Sequence, residues 1–265
     1  MSERIALETD AGLALVRLNR PEKKNALDPE MFAALDETLT RLSSDPDVRV
    51  VILSGAGGAF CAGLDISSFA AAPGLVPSLM RPLPGKDYNM AQRVAWGWRE
   101  LPVPVIAALE GEVFGGGLQI ALAADIRIAG PTAQLSVMEI RWGLIPDMSA
   151  GQTLRGLIRA DVARELTYTG RLVPAEEAAD IGLVTRVAAD PLEEAKTLGR
   201  AIAAKSPDAI RAAKSLFNEA WSESAGEGLQ REARLQAGLF GKPNQLEAIA
   251  ANFEKRAPAF GPPAD

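Results

Sequence analysis

The stretch VRVVILSG, residues 48–55, constrains the fold more than any other. It is a continuous β-branched run without polar alternation, the signature of a strand covered on both faces. Before it, RIALETDAGLALVRLNR alternates around an Asp-Ala-Gly turn and predicts a hairpin. LDPEMFAALDETLTRLSS then changes period. Asp28 can cap a helix, Pro29 suits its first turn, and Met31, Phe32, Leu35, Leu39 and Leu42 share one face. Further strands are expected at VIAALEG, DIRIA and AQLSV, and from about Gly151 onward only at GLVTRV. The chain therefore reads as α/β at the front and helical at the back. Its softest segment is AAAPGLVPSLMRPLPGKD, residues 70–87, whose glycine and proline clusters mark a surface insertion.

Composition removes whole classes of chemistry. The 265 residues include no histidine, which rules out Ser-His-Asp and Cys-His triads, histidine-bearing metal sites and imidazole acid-base work. The single cysteine, Cys61, cannot form an internal disulfide or a cysteine metal cluster, so no metal is expected. That fits a reducing compartment. The net charge is −6 and no basic run exceeds two residues, which argues against nucleic acid or an anionic membrane as partner. MSERIALETD is too charged for a signal peptide, and no apolar run reaches membrane-spanning length, so a soluble, cytoplasmic protein is expected.

Three segments can carry chemistry. GAGGAFCAGLDI, residues 55–66, follows the buried strand, where α/β proteins commonly bind ligands. It is either a ligand seat or a tight strand-to-helix connection. EGEVFGGGLQIALAADI places three glycines before a helical pattern that begins near Leu118, exposing amides at the positive end of a helix. Its spacing does not match a dinucleotide fingerprint. In SVMEIRWGLIPDMSAG, Glu139 sits between apolar residues and Asp147 follows eight residues later. Glu139 is either a solvated strand-end carboxylate or one whose apolar flanks tune it for proton transfer. Gln119 falls in the first turn of the glycine-led helix, as a plain helix-face amide or a site group.

Taken together, LNRPEKKNALDPEM, AFCAGLDI, GGGLQIALAADIRIA, MEIRWGLIP and NFEKRAPAF resemble the crotonase, or enoyl-CoA hydratase/isomerase, superfamily over nearly the whole chain. The resemblance implies an α/β fold, a crotonase-type spiral of ββα units, with residues 1–200 as an acyl-CoA-binding core and 201–265 as a helical trimerisation region. It implies an acyl-CoA thioester substrate that carries its own CoA, with no separate cofactor, and a homotrimer or dimer of trimers. The amides of Leu64 and Gly116 would form an oxyanion hole for the thioester oxygen. The CoA moiety would lie against Ala59, Cys61, Ala62, Gly63, Leu64, Asp65 and Ile66, near Gly115, Gly116, Lys24 and Ala26. Lys255 either reaches CoA, in some related trimers from the adjoining subunit, or is a solvated helix lysine.

Among the catalytic positions, Glu139 matches the second of two glutamates that flank a water in the family's hydratases, while the first falls on Gln119. An amide cannot release a proton at neutral pH. Asp147 resembles an acid of the dienoyl-CoA isomerase branch, and CAGLDI resembles the loop of monofunctional enoyl-CoA isomerases. The resemblance thus points first to double-bond isomerisation of an enoyl-CoA, with 2-enoyl-CoA hydration as the alternative and a CoA-ester-binding member with little turnover as a third reading. Trp96, Trp98 and Trp142, with Leu75, Leu79 and Met80, are expected in the acyl pocket wall or in packing.

Overall fold

The computed structural model describes residues 4–71, 74–220 and 222–264, with Leu75 described in its backbone alone. Strands β1 (Ile5–Asp10) and β2 (Leu13–Leu18) form the expected antiparallel hairpin. Helix α1 (Pro29–Ser44) starts where the Asp28 carboxylate accepts from the Met31 amide, and it buries the five apolar residues of its predicted face. Then come β3 (Val50–Gly55), the short helices α2 (Ile66–Ala70) and α3 (Leu75–Leu79), and α4 (Met90–Glu100). They lead to β4 (Val105–Leu109), β5 (Glu112–Phe114) and α5 (Gly116–Leu122). Next are β6 (Ile126–Ala129), β7 (Gln134–Ser136), a 3₁₀ turn over Glu139–Trp142, α6 (Ala150–Thr153) and α7 (Ala160–Thr169). The chain ends with β8 (Val173–Pro174), α8 (Ala175–Asp180), β9 (Arg186–Val187), α9 (Pro191–Ala203), α10 (Pro207–Glu219), α11 (Ala225–Ala237) and α12 (Pro243–Glu254).

Two sheets result. The larger runs β1-β2-β3-β4-β6-β9 and is parallel from β2 onward, and the smaller runs β5-β7-β8. β4–β5–α5 and β6–β7–α6 are two ββα turns of one winding: the first strands pair in parallel in the larger sheet, the second strands in the smaller. β3 begins an earlier turn whose second strand has shrunk to one residue, Cys61, bridged in parallel to Val113 of β5. This is the spiral of ββα units.

The buried run behaves as its composition requires. Val51 and Leu53 of β3 face a core shared with α1, α4 and α5, while Val50 and Ile52 face a second core under α9. Close approach of α9 depends on Gly199, whose missing Cβ would sit 3.1 Å from Leu13 Cδ2 and 3.3 Å from Ile52 Cδ1. Helix α10 is tied back by Lys214, whose buried ammonium donates to the Trp98 and Val103 carbonyls and to Asp125 Oδ2, at 3.1, 2.8 and 2.9 Å. No helix among the described residues is long and apolar enough to cross a membrane.

Three expectations change. Strand β8 lies in the region expected to hold GLVTRV alone: its two residues owe their conformation to antiparallel pairing with β7 and carry no periodicity of their own. The GLVTRV strand contracts to Arg186–Val187. Helix α5 starts at Gly116, two residues before Leu118, because its first turn packs on Cys61. Of the insertion, Ala72 and Pro73 lie outside the described residues.

Overpacking the α9 seam tests this arrangement. Gly199→Val should lower stability by about 1–3 kcal/mol, seen as a lower urea midpoint at an unchanged slope. Gly199→Ala should be close to neutral, since about 1 kcal/mol of helix propensity offsets a small crowding cost.

Candidate active site

The site grows from one line of lateral register. Cys61 bridges Val113, and Val113 pairs with Leu135 of β7, all in parallel. The Cys61 amide donates to the Glu112 carbonyl and its carbonyl accepts from the Phe114 amide, both at 2.9 Å. Counting three residues onward from each member of this row reaches Leu64, Gly116 and Met138, with Glu139 next. Parallel strands in register end side by side, so these residues are carried to the same edge. Two glycines permit the approach. Gly63, at φ +88°, has no Cβ to meet the Phe114 carbonyl oxygen at 2.8 Å, and Gly117 has none to meet the Cys61 carbonyl oxygen at 2.5 Å.

The two amides at this edge are aimed by their own peptide groups. The Gly63 carbonyl accepts from the Leu27 amide at 2.8 Å, and the Asp65 amide donates to the Leu27 carbonyl at 2.9 Å. A trans peptide points its C=O and N–H in opposite directions, so the Leu64 N–H is turned away from Leu27. The Gly115 carbonyl accepts from the Gln119 amide at 3.0 Å inside α5, so the Gly116 N–H points out of the helix start. The position a Gly63 Cβ would take lies 3.6 Å from Gly116 N, which sets the two segments in contact. Two converging backbone donors can hold an oxygen that gains negative charge.

Glu139 stands beside them: the position of a Gly115 Cβ lies 3.4 Å from its Oε1. The carboxylate is buried, and its Oε1 accepts from Gln119 Nε2 at 2.7 Å. Its Oε2 has no hydrogen-bond partner among the described residues. Burial raises the Glu139 pKa, and the nearby Asp147 charge pushes the same way, while hydrogen bonds from the Glu139 backbone and Gln119 pull it down. Asp147 is raised as well, by burial. Both carboxyl groups are thus shifted in the direction that favours the protonated form.

Gln119 is more than a helix-face amide. Its Oε1 accepts from the Met148 amide at 2.7 Å and the Ala150 amide at 3.1 Å. Ser149 between them sits at φ +88°, a left-handed conformation that costs a serine roughly 1–2 kcal/mol. Adjacent amides turned to one side by a left-handed residue form a nest that suits an anionic oxygen. Here the nest holds a neutral amide oxygen and so orients the Gln119 NH2 toward Glu139.

The remaining predicted residues divide into open and framework positions. Cys61 is fully buried, with a thiol pushed up to about 12 by burial. Ala59 accepts from Asn25 Nδ2, Ala62 donates to the Lys24 carbonyl, and Ala26 accepts from Arg20. Asp65 caps α2, which starts at Ile66, and meets the Arg20 guanidinium at 2.8 Å. The Lys24 ammonium is ion-paired with Glu112. Lys255 ends α12 in a left-handed cap, and no hydrogen bond or ion pair ties its side chain to the 59–66 loop among the described residues. Trp98 is core and Trp142 is 59% exposed. Trp96 stacks on Arg99, Leu79 packs on the core and Met80 is exposed, while the Leu75 side chain lies outside the described residues. Sequence reading missed Arg20, Asn25 and Ser149. The one signal for them was the arginine and asparagine of LNRPEKKNAL, which stand there without periodicity.

The enoyl-CoA hydratase/isomerase family model matches residues 8–263. A protein of Mycobacterium bovis named "Probable enoyl-CoA hydratase echA8" is 37% identical over 262 residues, covering 97% of this chain and 98% of that one. The enoyl-CoA hydratase EchA19 of Mycobacterium tuberculosis is 33% identical, covering 93% and 92%. The crystal structure of an enoyl-CoA hydratase from Bacillus anthracis superposes with a TM-score of 0.89 at 33% identity, covering 97% of this chain and 98% of that one.

A raised carboxyl pKa is also a statement about stability. The folded state binds the Glu139 proton more tightly than the unfolded state does. That contribution is present below the unfolded pKa and is lost as pH rises through the folded one. Glu139→Gln should therefore raise the melting temperature at neutral pH, with a gap that narrows as the medium is acidified. Thermal melts of both proteins across pH measure it.

Proposed function

The chain belongs to the enoyl-CoA hydratase/isomerase family, a family of enzymes acting on acyl-CoA, and from that premise we propose that it shifts the double bond of an enoyl-CoA by proton transfer. In this reading Glu139 takes a proton from C2 of a 3-enoyl thioester. The electron pair moves onto the thioester oxygen, giving a dienolate held by the Leu64 and Gly116 amides. Return of that proton from Glu139 to C4 yields the 2-enoyl product and restores the carboxylate. Each amide donor is worth about 3–4 kcal/mol to such a charge. CoA is part of the substrate in this scheme, carried along the 59–66 loop, with Lys24 available to a phosphate on leaving Glu112.

The observation that carries the proposal is the state of Gln119. Its oxygen is taken by the Met148 and Ala150 amides and its nitrogen by Glu139. Such a group favours the charged form of Glu139 against burial and holds it in place but moves no proton itself. A one-base isomerisation asks nothing more of that position. The names of the relatives favour a second reading, hydration of a 2-enoyl-CoA, in which Asp147 would have to serve as the partner of Glu139.

We also propose that the active form is a trimer or a dimer of trimers. Phe217, Leu229, Phe240, Leu246, Ile249 and Phe253, on or beside α10–α12, are all more than 40% exposed in the single chain. So much aromatic and aliphatic surface on one region is the mark of an interface. Light scattering should find no stable monomer at micromolar concentration.

Matched 3-enoyl-CoA and 2-enoyl-CoA substrates separate the two reactions. The parent should isomerise faster than it hydrates, and Glu139→Gln should lower turnover at least about a hundredfold with little change in acyl-CoA binding. Gln119→Glu places a carboxylate oxygen in the nest, where two amides keep it ionised, and its other oxygen against Glu139. The pair then shares one proton, which raises the Glu139 pKa further. The ratio of hydration to isomerisation should rise in this variant. A parent that hydrates at tens per second or more, with no gain in the variant, would reverse the ranking.

A further inference from the structure

We propose that Arg20 and Asp65 are a positioning pair that fixes the direction of the Leu64 amide. The proposal rests on the reading of that amide as a donor to the thioester oxygen. Leu64 has one lateral partner, Leu27, and the bridge between them decides where the Leu64 N–H points. Arg20 grips the residues on both sides of that bridge. Its Nη1 donates to the Ala26 carbonyl at 3.1 Å and meets Asp65 Oδ2 at 2.8 Å, and its Nε lies 3.3 Å from Asp28 Oδ2. Ala26 and Asp28 flank Leu27, and Asp65 follows Leu64. One buried guanidinium therefore joins the two short segments, by its hydrogen bond to the Ala26 carbonyl on one side and its ion pair with Asp65 on the other.

Asp65 is fastened from its other side too. Its Oδ1 accepts from the Ser67 hydroxyl at 2.6 Å and, as the cap of α2, from the Ser68 amide at 3.3 Å. The Ser67 hydroxyl, then Arg20 and Ser68, hold its pKa far below the usual carboxylate range despite burial. Asp65 is thus charged at any pH suited to assay. Asp28 is in turn fixed by Arg4 and by its capping bond to Met31, so Arg20 is itself braced against α1. Among the described residues no hydrogen bond or ion pair joins this network to Glu139, so the network reaches the reaction through the amide and not through the carboxylate.

The test reads the amide directly, through the infrared carbonyl stretch of a saturated acyl-CoA carrying a 13C-labelled thioester. Bound to the parent, the band should move to lower frequency than in solution. Asp65→Asn keeps the side-chain size and the α2 cap and removes the charge facing Arg20. It should abolish most of the shift and lower kcat about tenfold to a hundredfold, both read with ligand saturating so that a change in CoA affinity along the 59–66 loop does not enter the comparison. Arg20→Lys should act in the same direction, and it carries the test alone if Asp65→Asn does not melt cooperatively. A shift and a kcat that survive both substitutions would overturn the pair's role and leave the donor role of Leu64 standing. Absence of any shift in the parent would overturn the donor role itself, and the pair's role with it.

Discussion

The structure around the site depends on the parallel register that runs from Cys61 through Val113 to Leu135. Slipping any one of these strands by a residue would reverse the direction of its amides and carry its continuing chain to the opposite face. Residues 64, 116 and 139 are far apart in sequence, yet each follows its own member of the row by three or four positions. The row converts that sequence spacing into proximity. It also explains why Cys61 is buried while the residues just after it approach the open edge. A strand reduced to one residue still sets the register, because both its amide and its carbonyl are paired to β5.

Glu139 shows how such a scaffold holds a group at a cost to its own stability. An isolated buried carboxylate would take up a proton, and a fully compensated one would no longer act as a base. Here one oxygen is bonded to Gln119 and the other is without a partner, so the group lies between these limits. The nest at Met148–Ala150 extends the same logic by one shell. Ser149 accepts an unfavourable backbone conformation so that two amides can fix the Gln119 oxygen, and through it the hydrogen aimed at the base. Strain at this point is tied to orientation, in a chain whose buried strands are otherwise regular.

What the sequence made legible follows from which forces are local. The hairpin, α1 and β3 declare themselves through periodicity and capping, because their burial is determined by their own side chains. Strands β8 and β9 are two residues each and exist because a neighbour offers hydrogen bonds, so no pattern within them announces it. The site divides in the same way. Glu139 and the glycine segments stand out by composition, and resemblance to a family assigned them roles. The parts of Gln119, Arg20 and Asn25 became visible only in three dimensions, since Gln119 and Asn25 bind backbone atoms of segments distant in sequence and Arg20 pairs with the distant Asp65. A side chain that bonds to backbone leaves no complementary residue type to find.

This division has a consequence for how the site can change. The donors of the proposed reaction are the backbone amides of Leu64 and Gly116, placed by strand register and by close glycine packing. Side-chain substitutions at positions 119, 139 and 147 leave all of these in place. The scaffold can therefore keep the means of holding a charged oxygen while the proton-carrying groups vary around it. Asn25 illustrates the fixed part: fully buried, it accepts from the Arg20 amide and donates to the Ala56 and Ala59 carbonyls, joining the 20–28 turn to the glycine-rich loop. Gln119 illustrates the variable part, because its nest would accept a carboxylate oxygen as readily as an amide oxygen. In the proposed reading, the reaction is thus set by which proton-carrying groups stand around the donors and not by the fold that brings them together.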